Sequence, residues 1–220
     1  MGRSSIGLKL LMAVTGIIFV LYLVLHMYGN LQAFRGAEAF NDYAHHLRTF
    51  GEPMLPYAGL LWVIRVVLVL ALIGHAGSAF ALWSRASGAR TQRYAVKKAV
   101  GSTLSSRTMR WGGLALLLFV IFHILHLTTH TVTPQGEQAS PYANIVESFS
   151  IWWVTLIYAL AMLALAMHLH HGIWSASQTL GLTSSTASRA KAKTAGIVTA
   201  VVIAGGFLLT PLAILAGIID

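Results

Sequence analysis

The sequence contains no cysteine. That excludes disulfides, thiolate-ligated iron–sulfur clusters and covalently attached c-type haem within the chain. Acidic residues are scarce too: Asp and Glu number 6 in 220 residues, and all charged residues make up only 10%. A soluble domain carries about 25%, so the deficit points to lipid as the main solvent. There is no glycine-rich dinucleotide fingerprint and no internal repeat.

What the chain has instead is apolar length and positive charge. Hydrophobic residues reach 56% and the formal charge is +9. Such an excess raises the question of nucleic acid. Here the basic residues lie between long apolar runs rather than on a charged domain, so no nucleic-acid partner is expected. A membrane span needs about 20 mainly apolar residues. Five segments qualify, at about 8–28, 56–83, 111–129, 151–174 and 195–218. The expected fold is an all-α integral membrane protein with a single transmembrane domain over 1–220. Pro56 is tolerable at a helix start. The first run, preceded by Arg3 and Lys9, is longer than a signal h-region and lacks a small-residue cleavage site, so it reads as a retained helix.

With five spans the termini fall on opposite sides. Arg3, Lys9, Arg85, Arg90, Arg93, Lys97, Lys98, Arg107, Arg110, Arg189, Lys191 and Lys193 share the N-terminal side, 12 of the 15 basic residues. The other side has Arg35 and Arg48, with Arg65 inside the second span. The positive-inside rule therefore makes the N-terminus cytoplasmic. Trp62, Trp111, Trp152, Trp153 and Trp174 fall near span ends, as interfacial aromatics do. The outer segments, about 29–55 and 130–150, read as longer irregular pieces.

Ionisable residues within spans are costly and tend to be functional. The first four spans each carry at least one histidine. At about 1.5 Å per residue, His26 and His123 share the outer half and His75 and His168 the inner half. Two histidines facing each other across a bundle suit a six-coordinate haem iron, one imidazole on each side. Gly16, Gly74, Gly77 and Gly172 would let a flat macrocycle approach the backbone. A lone membrane histidine is more often an interhelical hydrogen bonder; four of them in two depth-matched pairs favour haem over a proton path or metal transport. Neighbours multiply the choice: His126 and His130 follow His123 on one helix face, and His170 and His171 follow His168. His126 and His171 are candidates for contacts to haem propionates or a quinone. His45 and His46 read as solvated loop residues. Cytochromes of the bc type place two histidines on each of two helices, a different arrangement.

Several stretches now carry a resemblance. His26-Met-Tyr-Gly-Asn-Leu-Gln-Ala-Phe-Arg35-Gly-Ala-Glu-Ala-Phe-Asn41, Leu72-Ile-Gly-His75-Ala, Phe119-Val-Ile-Phe-His123 and His168-Leu-His-His-Gly172-Ile-Trp174-Ser175 resemble the single-chain, five-helix, di-haem cytochrome b membrane anchor of succinate:quinone oxidoreductases, especially the menaquinone-using bacterial type. The likeness runs along nearly the whole chain, with the last span least distinctive. It implies two haem b groups, a distal one held by His26 and His123 and a proximal one by His75 and His168.

The resemblance further implies a bacterial plasma-membrane (inner-membrane) location and two partners on the cytoplasmic face. These are a flavoprotein subunit carrying FAD and an iron–sulfur subunit carrying the clusters. Electrons from succinate would cross the two haems to menaquinone, and higher oligomers of the complex remain open. The basic segment 85–110 would dock the partners or serve only the positive-inside bias. Arg65 would pair with a distal propionate or snorkel to the interface. Quinone reduction takes up protons, and Glu52, Glu147 and Asp42 are candidate relays. The alternatives are the same subunit in a fumarate reductase and, in another class, a histidine-lined membrane transporter, which would bind no haem.

Overall fold

The computed structural model describes residues 4–89 and 104–220. Arg3, Arg90, Arg93, Lys97 and Lys98, basic residues of the N-terminal side, lie outside the described residues. The described chain is helical, without a strand: α1 Ser5–Leu31, a short 3-10 turn Gln32–Arg35, α2 Ala37–Thr49, α3 Gly59–Gly88, α4 Leu104–Leu127, α5 Pro141–Phe149, α6 Trp152–Thr179 and α7 Thr186–Leu215. Five of these are long and apolar enough to cross a membrane: α1 with its terminal turn, α3, α4, α6 and α7. Their exposed surfaces carry large apolar side chains such as Leu21, Val69, Leu118, Leu160 and Val201. That is the pattern of helices facing lipid rather than water.

The helices overrun the hydropathy segments in several places, because hydropathy marks the lipid-crossing residues while backbone hydrogen bonding continues into the polar flanks. α4 is already helical at Leu104, the first residue described after 89, ahead of 111, and α7 begins at Thr186 instead of 195. The start of α7 is set by a capping box in which Ser185 and Ser188 satisfy each other's backbone N–H. Its end falls at Leu215, where Gly217 turns at φ +68°. Pro56 does not open α3. It precedes the helix in a turn closed by Gly59 N donating to Pro56 O at 2.7 Å.

The outer segments expected to be irregular each hold a helix. α2 fills much of 29–55, and α5 lies within 130–150 with Ser140 capping its N-terminus and Pro141 in its first turn. Both helices are short of the length needed to cross. They close the outer end of the bundle through Asn41 Oδ1, which accepts from Tyr142 N at 3.1 Å, and the edge-on contact of Phe40 with Tyr142.

α6 is the central element. It packs most extensively on α7, and also on α4 and α1; α3 packs on α1. α7 reaches close to α6 at Gly196, where a Cβ would stand 2.8 Å from the His170 carbonyl oxygen. It reaches α1 through Thr210, fully buried, whose hydroxyl donates to Asn30 O at 3.1 Å. That carbonyl belongs to the last turn of α1, where the capping Gln32 N–H also reaches it. α1 and α4 are not among the closely packed pairs, nor are α3 and α6. Across these two diagonals of the four-helix arrangement the backbones stay apart, and side chains, the histidines among them, bridge the gap.

Candidate functional site

Four histidines meet in two pairs. The rings of His26 on α1 and His123 on α4 have centroids 5.8 Å apart at an interplanar angle of 81°. Those of His75 on α3 and His168 on α6 are 6.1 Å apart at 53°. An imidazole nitrogen binds a metal at about 2 Å. Two imidazoles on opposite sides of one ion therefore place their centroids roughly 6 Å apart. Both pairs have that separation. Among the described residues no group of three or more His, Asp or Glu side chains gathers as a metal site. A donor set of two imidazoles suits an ion whose remaining ligands come from a macrocycle.

The surroundings also fit a flat group. Gly16 faces His75: a Cβ there would lie 3.6 Å from the ring's Cε1. Gly113 faces His168 in the same way, at 3.5 Å. Ten residues separate Gly16 from His26, Gly113 from His123 and Tyr158 from His168. On three helices this interval carries the chain from one pair to the other, a rise of about 15 Å. Of the other glycines singled out by sequence, Gly74 packs against Thr15 and Leu11, Gly172 barely reaches Met109, and Gly77 meets nothing. Gly113 was missed, although its place ten residues before His123 repeats that of Gly16 before His26.

Hydrogen bonds orient two of the imidazoles. Thr15 Oγ1 lies 3.1 Å from His75 Nδ1, and donates its own proton to Leu11 O at 2.7 Å. With that proton on a backbone carbonyl, His75 Nδ1 is the donor to Thr15 Oγ1 and Nε2 is left as a bare lone pair. Tyr158 Oη lies 3.2 Å from His123 Nδ1 and 2.9 Å from His126 Nδ1. His168 Nδ1 is buried with no partner among the described residues, as is His126 Nε2. Aromatic walls complete the outer pair: Tyr22 stacks on His26 at 5.4 Å and Phe119 leans on His123 at 5.9 Å. Phe207 of α7 stands 5.5 Å from His26, so the last span lines the outer pair. A narrow crevice between α4 and α6, lined by Met109, Gly112 and Met167 among others, opens beside His168.

The remaining sequence candidates disperse. Arg65 is exposed on α3, its guanidinium 4.9 Å over Trp62. Asp42 on α2, Glu52 in the turn after it and Glu147 on α5 are all exposed. His126 is wholly buried, while His171 is half-buried in the last turns of α6. His170 is held by Ser105, its Nδ1 3.1 Å from the hydroxyl oxygen. The motif after His26 lines an outer cleft of about 520 Å3 with Tyr28, Gln32, Arg35, Glu38, Asp42, Tyr43 and His46. Burial and then the neighbouring Tyr28 hold the Tyr43 hydroxyl above its ordinary pKa. At the opposite, basic end, Arg110 lies 5.3 Å over Trp83 and Lys193 5.5 Å over Trp174, cation–π contacts at the membrane boundary.

No curated protein and no solved structure matches the chain. Residues 84–209 match the family described as succinate dehydrogenase/fumarate reductase transmembrane subunit. The matched stretch includes His123 and His168, and His26 and His75 precede it. It spans more than half of the sequence, and the chain is a multi-pass membrane protein of the succinate dehydrogenase/fumarate reductase transmembrane-subunit family.

Proposed function

We propose that this chain is the membrane anchor and electron-transfer subunit of a succinate:menaquinone oxidoreductase, holding two b-type haems. His75 and His168 hold the proximal one and His26 and His123 the distal one. The observation that carries this reading is the pair of imidazole couples, 6.1 and 5.8 Å apart, each across a diagonal of the bundle. Bound haem supplies a one-electron iron couple at each level. The chain would hold each haem by its paired imidazoles, set the two levels about 15 Å apart and keep water out with apolar walls. A single level leaves most of the roughly 30 Å of hydrocarbon uncrossed.

The partners are a flavoprotein subunit and an iron–sulfur subunit, docked at the basic end beside His75 and His168. By the positive-inside rule that end is cytoplasmic, in a bacterial plasma membrane. Quinone is reduced at the opposite end, beside His26 and His123, and takes up two electrons and two protons. Asp42, Glu52 and Glu147, exposed in the outer segments, relay protons to it. Arg65 supplies positive charge for a distal propionate. The family description covers succinate oxidation and fumarate reduction alike, and the same residues serve either direction.

The test is succinate:quinone reductase activity of the purified complex with His75 or His123 replaced by Ala. Activity is lost while the partner subunits remain bound. A complex that keeps full activity after both substitutions overturns the proposal.

A further inference from the structure

Resting on the haem reading, we propose that Tyr158 (backed by His126) and Thr15 are positioning residues, each selecting the histidine tautomer that leaves Nε2 free for iron. For Thr15 the distances favour one order of protons, because two backbone carbonyls, Leu11 O at 2.7 Å and Met12 O at 3.2 Å, take its hydroxyl proton. The 3.1 Å contact with His75 Nδ1 then has His75 as donor.

The outer trio has two possible orders. Tyr158 has one hydroxyl proton and touches two Nδ1 atoms, at 3.2 Å on His123 and 2.9 Å on His126. In one order His123 Nδ1–H donates to Tyr158 Oη, and Tyr158 donates to His126 Nδ1. His123 Nε2 is then bare. In the reverse order His123 Nε2 carries a proton and cannot ligate. The shorter contact lies on the His126 side, where the first order puts the hydroxyl proton. That order leaves the His126 proton on Nε2, which is buried without a partner among the described residues.

The trio is held rigidly. Phe119 and Phe149 meet the Tyr158 ring edge-on at 5.0 and 4.8 Å, and Phe122 stacks on His126 at 5.3 Å. Hydrogen bonding at the far nitrogen of a ligating histidine fixes its tautomer and raises its basicity. A hydroxyl of a neighbouring helix does this once at each level: α1 serves His75 and α6 serves His123.

The experiment is potentiometric titration of haem in the purified full-length complex, with haem per chain measured alongside. Tyr158→Phe keeps two haems, and one of the two midpoint potentials rises while the other stays. His126→Leu goes further. The Tyr158 proton, deprived of its acceptor, turns to His123 Nδ1 and favours the tautomer with a protonated Nε2, so one haem is partly lost. Adding Tyr158→Phe to His126→Leu restores retention to the Tyr158→Phe level. A trio that acts only by packing gives the opposite result, with the double variant losing more than either single one.

Thr15→Val moves the other potential and leaves the first, and it carries the test alone if the trio variants fail to accumulate. Unmoved potentials in Tyr158→Phe or Thr15→Val, or a double variant worse than His126→Leu, overturn the proposal. An unsubstituted complex without haem overturns the haem reading beneath it, which is a separate result.

Discussion

Gly113 of α4 lies against the imidazole of His168 on α6, so close that a methyl group on the glycine would come within 3.5 Å of the ring. Gly16 stands in the same relation to His75 at 3.6 Å. In both cases the missing side chain keeps open the space beside a histidine of the inner pair. Replacing either by Val adds branched volume there without touching a ligand. Gly16→Val and Gly113→Val are expected to lower haem content below two per chain, measured as pyridine haemochrome. Gly205→Val on α7, where a Cβ meets nothing, keeps both.

The two levels are separable by substitution. His75→Ala removes one haem and leaves the His26–His123 pair intact. His26→Ala does the converse, and the retained haem keeps its own potential. Loss of both haems from one substitution would show that the pairs do not act as independent sites.

α7 depends on a glycine to reach α6. At Gly196 a Cβ would stand 2.8 Å from a backbone oxygen, that of His170, and a backbone carbonyl in a packed helix has little room to withdraw. Gly196→Ala is therefore destabilising despite the better helix propensity of Ala, by roughly 1–3 kcal/mol, the usual cost of overpacking. The measurement is thermal unfolding of the purified complex in detergent. An unchanged midpoint would mean that the helices separate freely at this point.

The absence of cysteine makes topology directly testable. Met54, 93% exposed in the turn between α2 and α3, and Leu182, 62% exposed between α6 and α7, lie at opposite ends of the bundle. In intact cells a membrane-impermeant maleimide labels Met54→Cys and spares Leu182→Cys. The reverse pattern would invert the assigned orientation.

The spans were legible because lipid imposes a length and a composition that nothing else in the chain satisfies. The grouping of His26 with His123 and of His75 with His168 followed from helix rise and span direction, because α1 and α4 run one way and α3 and α6 the other, which puts each couple at one depth. Less was visible where hydropathy is silent. α2 and α5 are too short to cross and too polar to register, although Ser140–Pro141 is a recognisable helix start. The role of Tyr158 was hidden because a single tyrosine in an apolar run reads as core or interface. Its bond to His123 depends on how α6 rotates against α4. Asp42, Glu52 and Glu147 were grouped by being acidic and outside the spans, and the fold distributes them over three different elements.

Each chain is expected to hold two bis-histidine haems. The direct measurement is a dithionite-reduced minus oxidised visible spectrum of the purified complex, with haem quantified per chain. Two low-spin b haems per chain are expected, partly reduced by succinate alone. A spectrum without haem, or a stoichiometry of one, would contradict it.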